Sequence, residues 1–85
     1  MRSSRLLILR ALLSGRKITT YEANKIGRTT EGGRRIRQIR ETYPVLKEKI
    51  GDTRFYRYYL DPVYLEEYRK KRRLIRIWEN VKSLF

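Results

Sequence analysis

The spacing of the apolar residues changes at Pro44, and no single regular element accommodates both patterns. Before it, apolar side chains recur at three- and four-residue intervals, as in Leu6, Leu9 and Leu13 or Ile36, Ile39 and Tyr43. That is the period of one helical face. After it, residues 45–50 and 54–60 are rich in β-branched and aromatic side chains, with Gly51-Asp52-Thr53 between them. This pattern predicts a β-hairpin. The proline also biases Tyr43 toward an extended backbone, so a helix has to end there.

Glycines and hydroxyl residues divide the helical part into three. Ser3 and Ser4 are positioned to cap a first helix over about 4–14, and Gly15 stands where a left-handed residue closes it. Leu7, Ile8 and Leu12 make this helix apolar beyond one stripe, which predicts a second surface to cover. Thr19-Thr20-Tyr21-Glu22 has the form of a capping box opening a short second helix with Tyr21, Ala23 and Ile26, stopped by Gly27. Arg28-Thr29-Thr30 then forms a tight connection, with Thr29 or Thr30 capping a third helix over about 31–42. After the hairpin, Asp61-Pro62 reads as an N-cap followed by proline in the first turn of a fourth helix reaching about Leu84.

Three helices, a hairpin and a long helix predict an α+β, mostly α fold. Two short helices joined by a tight turn and followed by a two-stranded wing define a winged helix-turn-helix domain over residues 1–60. Residues 61–85 form the C-terminal helix.

Charge then narrows the function. The 85 residues carry 22 Lys+Arg against 9 Asp+Glu, a formal net charge of +13. Such self-repulsion points to a polyanionic partner, DNA or RNA. No segment reaches the ~20 apolar residues that a spanning helix needs, so no membrane partner is expected. Met1 to Leu13 superficially resembles a signal peptide, but its apolar run is short and lacks a small-residue cleavage site, so it reads as helix and the protein as intracellular. There is no Cys and no His, which removes thiolate chemistry, zinc-finger chemistry and the commonest general base. The carboxylates Glu22, Glu31, Glu41 and Glu48 each lie next to basic residues and read as surface charges. No catalytic residue, metal, cofactor or small-molecule ligand is expected.

The third helix holds the sharpest signal. Ile36, Ile39 and Tyr43 gather on one side with Gly32, while Arg34, Arg37, Gln38 and Glu41 take the other. Arg34, Arg37 and Gln38 are the candidates for reading bases, because arginine grips guanine and glutamine grips adenine with two hydrogen bonds each. Arg28, Thr30, Arg35, Arg40, Lys49, Arg54 and Arg57 are the candidates for holding phosphates. Gly32 and Gly33 would let the first turn of the helix approach a phosphate closely. In the hairpin, Tyr56, Tyr58 and Leu60 share one face and Phe55, Arg57 and Tyr59 the other. One face is expected to pack on the third helix; the aromatics read as sheet core, although tyrosines interleaved with arginine would also suit single-stranded nucleic acid.

In the last helix, Tyr64, Leu65 and Tyr68 are placed to pack on the domain before the run Arg69-Lys70-Lys71-Arg72-Arg73. Leu74, Ile77, Trp78, Val81 and Phe85 then resume the apolar stripe. Either this end folds over the surplus apolar face of the first helix or it pairs with a second copy, and a homodimer is the preferred expectation.

Gly15-Arg16-Lys17-Ile18-Thr19-Thr20-Tyr21-Glu22-Ala23, Arg34-Arg35-Ile36-Arg37-Gln38-Ile39-Arg40 and Tyr43-Pro44-Val45 resemble small winged-helix proteins encoded by phages and prophages, over roughly residues 5–60. Ile39 stands where the family pattern has leucine and Thr42 where it has glycine. The resemblance implies the architecture more than the role, with nothing matching beyond Asp61. It implies a regulator of a mobile element, or an accessory role in its replication or excision. Together these readings predict a sequence-specific double-stranded DNA-binding protein. The alternatives are a host-directed inhibitor that occupies the nucleic-acid channel of an enzyme, and an architectural or RNA-binding protein.

Overall fold

A computed structural model of the chain describes residues 3–82. In chain order it contains α1 (Ser4–Leu13), α2 (Thr20–Gly27), α3 (Gly32–Arg40), β1 (Val45–Lys49), β2 (Tyr56–Leu60) and α4 (Pro62–Lys82). The fold is α+β and mostly helical, with four helices and a two-stranded antiparallel sheet.

Local chemistry explains most of the boundaries. Gly15 leaves α1 in a positive-φ conformation, φ 90°, open to glycine at no steric cost. At α2 the capping box is closed on both sides: the Thr19 hydroxyl accepts the Glu22 N–H at 3.1 Å, and the Glu22 carboxylate accepts the Thr19 N–H at 3.1 Å. Asp61 Oδ1 accepts the Val63 N–H at 2.9 Å and opens α4.

Three caps differ from expectation. Ser3 occupies the N-cap of α1, but its hydroxyl makes no capping bond. Gly27 does not terminate α2; Arg28 holds the left-handed position at φ 50° and ψ 49°. Gly27 is instead buried where α1 crosses, since a Cβ there would stand 2.9 Å from Ile8 Cδ1 and 3.2 Å from the Ser4 carbonyl. Thr29 accepts the Glu31 N–H at 3.0 Å without capping α3, and the N-cap residue of α3, Glu31, makes no side-chain cap bond. The first α3 donor is met from α2, where Asn24 Oδ1 accepts the Gly32 N–H at 2.7 Å.

One hydrophobic cluster joins the elements. Ile8 and Leu12 of α1, Ile18, Ala23 of α2, Ile36 and Ile39 of α3, Val45, Leu60 and Leu65 are its buried members. The buried face of α1 is centred on Ile8 and Leu12, whereas Leu6 is 46% exposed and Leu9 and Leu13 are half-buried. A helix apolar on nearly every side has no clear stripe in sequence, and tertiary packing selects the face.

The hairpin pairs Val45 with Leu60, Lys47 with Tyr58 and Lys49 with Tyr56. Its strands stop short of the expected 45–50 and 54–60; one further bond, from the Ile50 N–H to the Phe55 carbonyl at 2.9 Å, closes a loop in which Gly51 takes φ 53°. Ile18, in the α1–α2 connection, adds an isolated antiparallel bridge to Tyr58, exchanging bonds of 2.9 and 2.7 Å. That bridge holds β2 against α1 and α2, where packing on the third helix was expected. The ribbon meets α3 through the shared cluster.

The first turns of α4 belong to the same core through Leu65. Tyr64 stands edge-on to Tyr43 at 6.0 Å and stacks with Tyr68 at 6.5 Å. From Arg69 to Asn80 every residue is exposed, including Leu74, Ile77 and Trp78 at 66, 59 and 58%. This part of α4 therefore does not fold over α1. Val81 is half-buried, and Phe85 lies outside the described residues.

Candidate nucleic-acid interface

The two faces of α3 separate as its spacing requires. Gly32, Ile36 and Ile39 are buried and Tyr43 is half-buried, while Arg34, Arg37, Arg40 and Glu41 are exposed. The buried isoleucines fix the rotation of the helix, and that rotation places the guanidinium groups in solvent. Arg37 and Arg40 make no ion pair among the described residues; Arg34 lies 3.7 Å from a Glu31 carboxylate oxygen in a pair that is open to water.

Two of the expected contacts act within the protein. Arg35 is 31% exposed, lies 3.4 Å from Glu31, and donates to Gln38 Oε1 at 3.0 Å. Gln38 is half-buried and held by that bond rather than extended freely. The carbonyl oxygen keeps a second lone pair and the amide its two donors, so the side chain retains the donor-acceptor edge that pairs with adenine. Arg35 thus orients its neighbour.

The glycines at the start of α3 lie against α2, and Gly32 is buried in that contact. A Cβ on Gly32 would come within 2.5 Å of Asn24 Oδ1 and 2.9 Å of the Asn24 nitrogen; one on Gly33 would meet Thr20 Cγ2 at 3.4 Å. The consequence is that the first turns of α2 and α3 lie side by side. The first turns of α2 and the hairpin tip meet around a cleft of about 610 Å³ lined by Thr20, Tyr21, Asn24, Arg54, Phe55 and Tyr56 among others.

Of the residues expected on phosphates, one stands at this cleft and the others elsewhere on the surface. Arg54 lines the cleft, and Lys49 and Arg57 are exposed on the strands. Arg57 lies across from Glu48, which is engaged by Lys17 at 3.2 Å. Arg28 and Thr30 are exposed in the α2–α3 turn. Four ion pairs, of Lys17, Arg34, Arg35 and Lys70, are formed among the described residues. Most of the 22 basic side chains are therefore not neutralised within the fold.

Residues that the sequence did not single out also shape the surface. Tyr21 of α2 is 66% exposed, with Lys25 Nζ 4.5 Å from its ring centre. Phe55 is 63% exposed. Asn24 carried no signal, because its role depends on a contact eight residues away. On α4, Arg69, Arg72, Arg73 and Arg76 share one side with spacings of three and four, and with Leu13 and Tyr68 line a second cleft.

Among the described residues no cluster of acidic or metal-binding side chains is suited to hold a metal ion, and no helix is long and apolar enough to cross a membrane. No protein-family model, curated protein or solved structure matches the chain.

Proposed function

We propose that this chain is a winged helix-turn-helix protein that binds double-stranded DNA, with α3 in the major groove and the β1–β2 hairpin against backbone or minor groove. One observation carries the reading: the outward face of α3 presents Arg34, Arg37 and Arg40 to solvent while its inward face is fixed by Ile36 and Ile39. A short rigid helix with exposed guanidinium groups fits a groove that admits one helix and displays paired acceptors on guanine. The net charge of +13 supplies the sequence-independent attraction.

In this reading Arg34, Arg37 and Gln38 read bases, Arg35 orients Gln38, and Arg28, Arg40, Lys49 and Arg54 hold phosphates. The exposed stripe of Leu74, Ile77 and Trp78 on α4 receives the same stripe of a second copy, which duplicates α3 across a two-fold axis. Together with the resemblance of residues 5–60 to small phage-encoded winged-helix proteins, this makes a transcriptional regulator of a mobile element the favoured role.

The test is fluorescence anisotropy with duplex DNA, single-stranded DNA and duplex RNA over a range of salt, followed by selection from a random duplex library. Enrichment of defined duplex sites supports the proposal. Equal, wholly salt-labile binding to all three polymers overturns it.

A further inference from the structure

We propose that the cleft between α2 and the hairpin tip receives one unpaired nucleobase, stacked on Phe55. The inference rests on the nucleic-acid-binding reading above and specifies what the same interface does with a base that has left the duplex.

Phe55 is the feature that prompts it. An aromatic ring 63% exposed next to a tight loop adds little to the core, and among the described residues neither a ring nor a cation lies over it. The neighbouring tyrosines differ. Tyr21 carries Lys25 at 4.5 Å from its ring centre and Tyr56 carries Lys47 at 4.7 Å. One face of each of these tyrosine rings carries a cation, whereas neither face of the phenyl ring does among the described residues.

Size and charge select the occupant. The cleft, about 610 Å³, is within the range of about 300 to 1,000 Å³ typical of sites for small ligands. No acidic side chain lines it, and Arg54 is its one charged wall residue. With Lys25 and Lys47 on the adjacent tyrosines, positive charge surrounds an apolar floor. That arrangement suits a flat, neutral, aromatic group attached to phosphates on both sides. Stacking accepts any base, because every base has a π-face, while the cations take the backbone.

Position supplies the route. The wall of the cleft at Thr20 and Asn24 adjoins the first turn of α3, where Gly32 and Gly33 pack closely on those two residues. A nucleotide displaced from a duplex beside α3 therefore has a short path to Phe55. Unpairing and unstacking cost free energy, least at a bulge or mismatch, so the cleft favours DNA that already carries an unpaired base.

The test uses the full chain and two duplexes of the same sequence, one fully paired and one with a single bulged 2-aminopurine. The bulged duplex is expected to bind about tenfold tighter, as one base–aromatic stack allows, with a fall in 2-aminopurine emission. Phe55→Ala removes both effects and leaves affinity for the paired duplex within about twofold, and Phe55→Trp retains them. Equal affinity for the two duplexes with unchanged emission overturns the base-capture proposal alone. Absence of binding to either duplex overturns the nucleic-acid reading on which it rests.

Discussion

Asn24 Oδ1 accepts the Gly32 N–H at 2.7 Å, so the N-terminus of α3 is capped by a side chain of the helix that precedes it. The bond fixes the two helices to each other as well as satisfying a donor. Asn24→Ala leaves that donor without its partner and should cost about 1 to 2 kcal/mol. Gly32→Ala should cost more, about 1 to 3 kcal/mol, because the new Cβ meets the Asn24 side chain and backbone together. Thermal unfolding followed by circular dichroism checks both, with about 4 to 8 °C expected per kcal/mol for a domain of this size. Equal stability of Gly32→Ala and the parent chain would contradict the close packing of α2 on α3.

The Arg35–Gln38 bond makes a sharper statement about specificity. If Arg35 orients Gln38, Arg35→Ala and Gln38→Ala should relax preference at the same base pair, and the double variant should lose little beyond either one. The discrimination lost should be about 1 to 3 kcal/mol. Competition between single-base variants of a selected site measures it. Additive losses would instead make Arg35 an independent contact.

Lys49, exposed at the end of β1, should behave differently. A phosphate contact carries no sequence information, so Lys49→Ala is expected to weaken every duplex by a similar factor. It should also reduce the slope of log K against log salt by about 0.9. Arg37→Ala should change the ranking of sites. A changed ranking with Lys49→Ala would place that lysine on a base edge.

How far the sequence reached depends on the range of each interaction. The capping box at Thr19–Glu22 and the Asp61 cap are local, and both form as read. The division of α3 into an isoleucine face and an arginine face is equally local, since periodicity alone determines it. The misread positions depend on partners distant in sequence. Gly27 looked like a helix stop, but the contact that requires a glycine comes from Ile8 and Ser4. The Ile18–Tyr58 bridge, which turns the hairpin toward α1 and α2, has no signature in either segment by itself.

Tyr64 gives a pH dependence. Burial, and then the nearby Tyr43 and Tyr68, raise its phenol above the ordinary value of 10.0. The folded state therefore holds the proton more tightly than the unfolded chain. This contribution to stability is fully present below pH 10 and is lost as the pH rises above it. Tyr64→Phe removes the titration, so the stability difference between parent and variant should shift in the variant's favour on moving from about pH 8 to about pH 11. Urea unfolding at the two pH values measures this, and a difference independent of pH would show that Tyr64 titrates alike in both states.

The exposed part of α4 makes the last prediction. Leu74, Ile77 and Trp78 fall on one side of the helix, each more than half exposed, while Arg69, Arg72, Arg73 and Arg76 fall on another. An isolated helix gains most of its stability from packing an apolar face, so the apolar side is the surface that a second copy would cover. The arginine side is then left outward, which keeps two highly charged chains from meeting through like charges. Sedimentation equilibrium should show a concentration-dependent dimer, and Ile77→Glu should shift it to monomer by placing a charge in the seam. The folded core should survive, because none of these residues belongs to it. On a palindromic site the monomeric variant should lose cooperativity while keeping half-site preference. A parent chain that stays monomeric at every concentration, with or without DNA, would rule out the pairing.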